Sequence, residues 1–304
     1  MLSLSLRLVG CSSCSSRISH PKAPASRLHI FSPPKQLNSA RQTNNTVHQF
    51  SQLSQLIQIP DHTAKGTEYS YSSMEYKMIG PEHCDQVLEH LRRNFFADEP
   101  LNKAAGLCQN GSSCAALESH CAEAILDRMS VMAVDAKEQE QGVCKVVGVV
   151  LNGILKPGDT AKALSKLDTN DDAGFRKIFD LLHRHNLKYN LFEHFDVACM
   201  FDVRILSVDS SYRGQGIANE LVKRSVAVAR KNGFRLLKAD ATGIFSQKIF
   251  RSHGFEVFSE QPYSKYTDVD GRVILPVEAP HIKMQQLYKA ICGGADQDEK
   301  EQSR

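Results

Sequence analysis

Arg204-Ile-Leu-Ser-Val-Asp-Ser-Ser-Tyr-Arg-Gly-Gln-Gly-Ile-Ala-Asn-Glu-Leu-Val222 changes character twice along its length. Ile205, Leu206 and Val208 make a short apolar run, rich in β-branched residues, that reads as a buried strand. Asp209, Ser210, Ser211 and Tyr212 break that run, and Gly214 and Gly216 follow. From Ile217 onward, Leu221, Val222, Val228 and Ala229 fall on one side of a helical pattern. The order is strand, glycine-rich loop, helix, and it makes this an α/β chain.

Such a junction collects anions. The first turn of a helix presents unpaired backbone N–H groups and the positive end of the helix dipole. Gly214 and Gly216 have no side chain to hold a phosphate away, and Arg213 adds a fixed positive charge. Two common phosphate loops are excluded. A Walker loop needs Lys-Ser/Thr after its second glycine, where this chain has Ile217-Ala218. The dinucleotide fingerprint needs Gly or Ala three residues after Gly216, and that residue is Asn219. Arg213-x-x-Gly216-x-Ala218 remains, and on this pattern alone a strand-turn-helix without a ligand stays open.

This motif resembles the coenzyme A loop of the GCN5-related N-acetyltransferases. Phe95-Phe96-Ala97-Asp98-Glu99-Pro100-Leu101-Asn102 precedes it and His253-Gly254-Phe255 follows it. The order and rough spacing resemble those of the insect arylalkylamine (dopamine-type) N-acetyltransferases. The resemblance runs roughly from Glu75 to Ile291. It implies an α/β (α+β) fold with a central mixed, mostly antiparallel sheet flanked by helices. It also implies acetyl-CoA as co-substrate and, as acceptor, an arylalkylamine such as dopamine, octopamine, tyramine, serotonin or tryptamine.

Composition bounds the rest. The chain has 304 residues and a formal net charge of +3, too weak a positive balance to suggest nucleic acid. No apolar run is long enough to span a bilayer. Nine cysteines, an odd number unevenly spaced, fit a reduced compartment better than a disulfide framework. Cys11-x-x-Cys14 lacks a second pair at zinc spacing, so no metal is expected. Met1 to Pro60 contains no Asp or Glu but has Arg7, Arg17, Lys22, Arg27, Lys35 and Arg41 among many serines. Residues 1–73 are therefore expected to be an extension outside the fold, either disordered or an organelle transit peptide. Met74 is then an alternative start. The catalytic domain is expected over 74–291 with a tail at 292–304, in a cytoplasmic monomer, or a mitochondrial protein if the extension directs import.

Along the domain, Gly80-Pro81-Glu82 starts a helix. Val87, Leu88, Leu91, Phe95 and Phe96 continue it to about Ala97. The spacing predicts a mobile loop over 101–118, a helix near 120–128, a hairpin of strands at 130–135 and 143–152, and a polar connection over 157–172. A helix follows through Phe175, Ile178, Phe179, Leu182 and Tyr189, and then a long strand from Asp196 to Val208. Beyond the anion loop come a helix to about Lys231, a strand at 236–241, a helix at 244–252, strands near Val257 and Tyr263, and a last strand at 282–287.

Acetyl transfer to an amine must remove a proton, polarise the thioester carbonyl and accommodate the leaving thiolate. Glu99, in the Asp98-Glu99-Pro100 turn at the end of an apolar helix, is the candidate base. Partial burial would raise its pKa, and a nearby ammonium would lower it. In the resembled family this Glu is the general base, directly or through water, while Asp98 is expected to accept backbone hydrogen bonds in the turn. The resemblance also implies that main-chain groups of Leu206, Ser207 and Val208 grip the thioester and pantetheine. It assigns the pyrophosphate to Arg213, Gly214, Gln215, Gly216, Ile217 and Ala218. At the position where many of these enzymes carry a proton-donating Tyr, this chain has Phe250. Thr242 and Ser246, four residues apart, are expected to share a helical face toward the sulfur, with Ser246 also touching coenzyme A and helix capping open for Thr242. Phe95 and Phe96 would wall the aromatic ring, and His281 would line the acceptor cleft. Two other readings stand beside this one. The same fold could serve a polyamine or agmatine-like amine or a longer acyl-CoA, or it could be a non-catalytic coenzyme A binding module.

Overall fold

The computed structural model describes residues 74–109, 112–140 and 142–291. The expected extension 1–73, the tail 292–304 and the Cys11–Cys14 pair lie outside the described residues. The elements in chain order are β1 (Met74–Met78), α1 (Cys84–Leu91), α2 (Pro100–Ala105), α3 (Ala115–Leu126), β2 (Val131–Glu140), β3 (Val143–Leu155), α4 (Asp159–Ser165), α5 (Ala173–Lys188), α6 (Leu191–Phe195), β4 (Met200–Val208), α7 (Ile217–Lys231), β5 (Leu236–Ala241), α8 (Ile244–Ser252), β6 (Glu256–Pro262) and β7 (Lys283–Ala290). The strands form one seven-stranded sheet in the order β1-β2-β3-β4-β5-β7-β6. Only β4 and β5 are parallel neighbours; the other pairs are antiparallel. The mixed, mostly antiparallel sheet expected from the resemblance is the observed one.

Side-chain alternation divides the core between the two faces of this sheet. Met132, Val134, Val149, Leu151 and Ile205 pack with α1, α3 and α5. Val131, Ala133, Val150, Phe201, Val203, Leu237 and Ala239 pack with Leu221, Val222 and Phe250 of α7 and α8. The register between β3 and β4 slips between Leu151 and Asn152, which face Ile205 and Val203. Arg204 is the extra residue, and such a bulge bends its strand and changes the face that later residues present. Here it sends Ile205 to the α5 side after Phe201 and Val203 on the α7 side.

The bend has a consequence for the site. β4 pairs with β5 only through Phe201–Val203, facing Leu237–Ala239. Beyond Val203 the two parallel strands diverge. The second half of β4 keeps β3 as its ladder partner, Leu206 facing Val150 and Val208 facing Gly148. Its other edge opens into a wedge whose far wall is the end of β5.

Four expectations need correction. Residues 101–118 are not one loop, because α2 starts at Pro100. The Glu99 side chain caps it by accepting from the Asn102 N–H, and Gly106, at φ 69°, closes it. Residues 157–172 contain α4, which buries no side chain and so shows no apolar period. The strand expected from Asp196 begins at Met200, since Asn190 caps the short α6 by accepting from the Phe192 N–H. Tyr263 lies in a 3₁₀ turn, Tyr263–Lys265, just past β6.

Candidate active site

At the end of β4 the Asp209 carboxylate accepts from the Ser211 N–H (2.9 Å) and hydroxyl (2.6 Å), which turns the chain through Ser210–Tyr212. The Tyr212 hydroxyl donates to Asp135 Oδ2 (3.2 Å) and ties the turn to β2. Gly214 and Gly216 both have φ of 80°, the left-handed region that disfavours a side chain. Gly216 is the N-cap of α7, and the first helical hydrogen bond runs from the Glu220 N–H to its carbonyl (3.1 Å). The amides of Ile217 to Asn219 therefore have no partner within the helix. A Cβ at either glycine would meet nothing within 4 Å. Open space bounded by amides and a helix N-terminus is suited to a phosphate.

Two cavities meet at one carboxylate. The larger, about 780 Å³, follows the wedge between β4 and β5 and is lined by Leu206, Ser207, Val208, Arg213, Gly214, Gly216, Ile217 and Ala218. Ser246 and His281 also line it. The smaller, about 340 Å³, lies on the α5 side of the sheet under α2, α3, α4 and α5. Its apolar lining includes Leu101, Leu117, Ile178, Phe179, Leu182 and Ile205. Phe95, Glu99 and Thr242 line both.

Glu99 is half-buried and each of its carboxylate oxygens is held. Its Oε2 accepts from the Asn102 N–H (2.7 Å), the consequence of its N-cap position. Its Oε1 accepts from the Thr242 hydroxyl (2.7 Å). Burial drives its carboxyl above the usual range and outweighs the opposing hydrogen bonds from Thr242 and the N–H groups of Asn102 and Leu101. Thr242 is itself fixed, because the buried Tyr263 hydroxyl donates to its carbonyl (2.6 Å).

Other candidates are placed differently from expectation. Phe96 is only 1% exposed and packs in the core, so it walls no ligand; the wide π-type turn Arg92–Phe96 leaves Phe95 alone facing the cavities. Thr242 follows β5 and α8 begins at Ile244, so Thr242 and Ser246 share no helical face. Nor does Thr242 cap that helix; Gly243 is its N-cap, and the Ser246 hydroxyl donates to the Gly243 carbonyl (2.9 Å). The capping group is His281, whose Nδ1 accepts from the Ile244 N–H (3.2 Å). Burial, helped by Lys103, holds its imidazole below the usual range, which favours the unprotonated acceptor this bond needs. His281 lies in the larger cavity rather than the smaller. Asp98 is engaged by Arg213 (3.2 Å) and Lys103 (3.4 Å), both of which line the larger cavity. Gln215, exposed between the two glycines, does not line the cavity.

The fold also supplies partners that the sequence did not single out, His90 first among them. Ser207 turns its hydroxyl to the buried His90 Nε2 (3.0 Å), whose Nδ1 lies 3.1 Å from the Val146 carbonyl. Burial pushes that imidazole down to about 4, so it is neutral at pH 7 and ties β4 to α1 and β3. In the smaller cavity, Asp202, Arg204, Lys238 and Asp240 form a buried ionic cluster. Charged residues at alternate positions of two otherwise apolar central strands were the available signal.

A glycine cradle at a helix N-terminus, a splayed pair of parallel strands and a carboxylate at the junction define an acyl-group transferase. The chain belongs to the GNAT family of acetyltransferases. Residues 200–255 match the family model described as "Acetyltransferase (GNAT) family". The chain is similar to arylalkylamine N-acetyltransferase 2 from Aedes aegypti at 42% identity and a TM-score of 0.68, covering 72% of this chain and 99% of that one. It is also similar in fold to mosquito arylalkylamine N-acetyltransferase like 5b (22% identity, TM-score 0.65, covering 72% and 100%). A Drosophila melanogaster polyamine N-acetyltransferase that forms N-acetylagmatine shares the fold at 18% identity and a TM-score of 0.63, covering 72% and 100%. No described helix is long and apolar enough to cross a membrane.

Proposed function

We propose that this protein transfers the acetyl group of acetyl-CoA to the amine of an arylalkylamine, with Glu99 as general base. The observation that carries this reading is that Glu99 borders both cavities. Coenzyme A enters the larger one, its pyrophosphate on the amides that follow Gly214 and Gly216. The pantetheine runs along the open edge of β4, where main-chain groups of Leu206 and Val208 act as an added strand would and polarise the thioester carbonyl. The acceptor lies in the smaller cavity with its ring against Phe95, Phe179 and Leu182. Its ammonium reaches Glu99, whose raised affinity for protons suits it to take one. The free amine then attacks the carbonyl carbon, the C–S bond breaks, and the second proton lost by the nitrogen passes through Thr242, Ser246 or water to the leaving thiolate, while the first leaves Glu99 for solvent.

Apolar walls favour a ring over a linear polyamine. Glu123 and Asp159 also line the cavity, and they are the observation that would favour a second amino or guanidino group. A screen of amines with acetyl-CoA, read by thiol release, tests the choice. Release with tyramine, dopamine or tryptamine and not with putrescine or agmatine is expected; the reverse pattern rejects the reading. Release with none of them would leave a coenzyme A binding module.

The cradle gives a further expectation. Val at position 216 must hold φ near 80°, which costs roughly 1–2 kcal/mol for an ordinary residue and more for a β-branched one. Its side chain also fills the space intended for phosphate. Gly216→Val should raise the KM for acetyl-CoA at least about tenfold, each tenfold being about 1.4 kcal/mol. Steady-state kinetics with acetyl-CoA varied check this, and an unchanged KM removes the cradle from the proposal.

A further inference from the structure

The smaller cavity has a polar floor that binding of a plain aromatic ring would not need. On β5, Lys238 and Asp240 face the α5 side, and Thr242 continues the series just past the strand end, while Leu237, Ala239 and Ala241 pack toward α7. Alternate residues on one face of a strand stand ~7 Å apart. Thr242 holds Glu99, so Asp240 lies one such step further in and Lys238 two. One step is close to the reach from an arylethylamine nitrogen to the far edge of its ring.

Asp240 is firmly oriented. Its Oδ2 accepts from Lys238 Nζ (2.8 Å) and from Asn186 Nδ2 (2.7 Å). Asn186 is tied in turn to Gln286 of β7, whose Nε2 donates to its Oδ1 (2.7 Å). The other oxygen, Oδ1, is buried and has no hydrogen-bond partner among the described residues. An oriented acceptor left unmatched calls for a donor from elsewhere. Asp202 pairs with Lys238 (3.3 Å) and Arg204 (3.3 Å), so the cluster sets two carboxylates against two cations. A balanced cluster does not call for another cation, and an ionised carboxylate, which only accepts, does not suit an ether or carbonyl on the ring. A neutral O–H fits both conditions.

Resting on the arylalkylamine reading above, we propose that Asp240 accepts a hydrogen bond from a ring hydroxyl of the acceptor. The site is then selective for phenolic arylethylamines over unsubstituted ones. Asn186 and Lys238 are positioning residues that aim the carboxylate. A site built to bond a substrate hydroxyl discriminates strongly against the analogue that lacks it.

The test compares kcat/KM for tyramine and phenethylamine, which differ by that hydroxyl, with agmatine and putrescine alongside. The full chain should prefer tyramine by at least about tenfold. Asp240→Ala should bring the ratio close to one, mainly through loss of tyramine turnover. Asn186→Ala, which leaves the ionic cluster intact, should lower the ratio in the same direction and serves if the first variant does not fold. Equal kcat/KM for the two amines in the unmodified protein, or a tyramine preference that survives in folded Asp240→Ala, overturns this inference alone. Turnover of agmatine or putrescine without either arylethylamine overturns the arylalkylamine reading and this inference with it.

Discussion

Glu99→Gln should lower kcat by about 10²–10⁴-fold, the range that a positioned general base contributes. Gln keeps an oxygen able to accept from the Asn102 N–H or the Thr242 hydroxyl, so the turn and the cavity wall should persist while proton removal does not. In the unmodified protein kcat/KM should rise with pH as the Glu99 carboxyl ionises, with a midpoint above that of an ordinary glutamate. The variant should lose that limb. Stability should move the other way. A carboxyl whose folded-state pKa is raised contributes stability that is complete below its unfolded value and is lost as pH rises through the folded value. At pH 7 the half-buried carboxylate therefore works against the fold, and Glu99→Gln should melt no lower than the parent, with the two curves converging toward pH 4. Measuring kcat and melting temperature across pH on one pair of proteins separates a catalytic carboxylate from a structural one. A variant that keeps its rate, or loses rate and stability together at every pH, removes Glu99 from the base role.

What the chain disclosed in advance depended on whether the signal was local. Gly214, Gly216 and Ile217 could be read because positive φ and helix initiation are properties of a few consecutive residues. The strand at 130–135 could be read because a short apolar run shows within a few residues, although which of Val131, Met132, Ala133 and Val134 faces which side did not. The position of Glu99 as cap of α2 was local too, but the glycine- and serine-rich residues after it concealed that a helix starts at Pro100. The hidden features join distant segments. Thr242 reaches Glu99 across 143 positions, and His90 reaches Ser207 across 117. The bulge at Arg204 that opens the wedge exists only in the register of β4 against β3. Phe95 and Phe96 are equivalent in composition; the π-type turn buries one and offers the other to the cavities.

Lys238→Met should destabilise the protein by about 3–5 kcal/mol, the usual cost of breaking a buried ion pair by removing one partner. Lys238 is 5% exposed and donates to Asp202 (3.3 Å) and Asp240 (2.8 Å). Burial pulls its pKa down, but the charges of Asp202 and Asp240 and their hydrogen bonds outweigh that, and the ammonium is held above its ordinary range. Burial likewise pushes Asp202 up and is overcome by Lys238 and Arg204, which leaves that carboxyl below its ordinary range. In the parent, then, Asp202 contributes stability that is present above its unfolded pKa and is lost as pH falls through the folded value. Without the ammonium, burial of the Asp202 carboxylate is less compensated and its folded pKa moves up. Its contribution then has the opposite sign and is lost as pH rises. The deficit of Lys238→Met should accordingly shrink between pH 7 and pH 5, as urea unfolding at the two pH values would measure. Met is close to Lys in length and apolar, so a packing defect alone would give the same deficit at both. A pH-independent loss would mean that shape rather than charge holds this floor, and the orientation of Asp240 toward the acceptor would then need another cause.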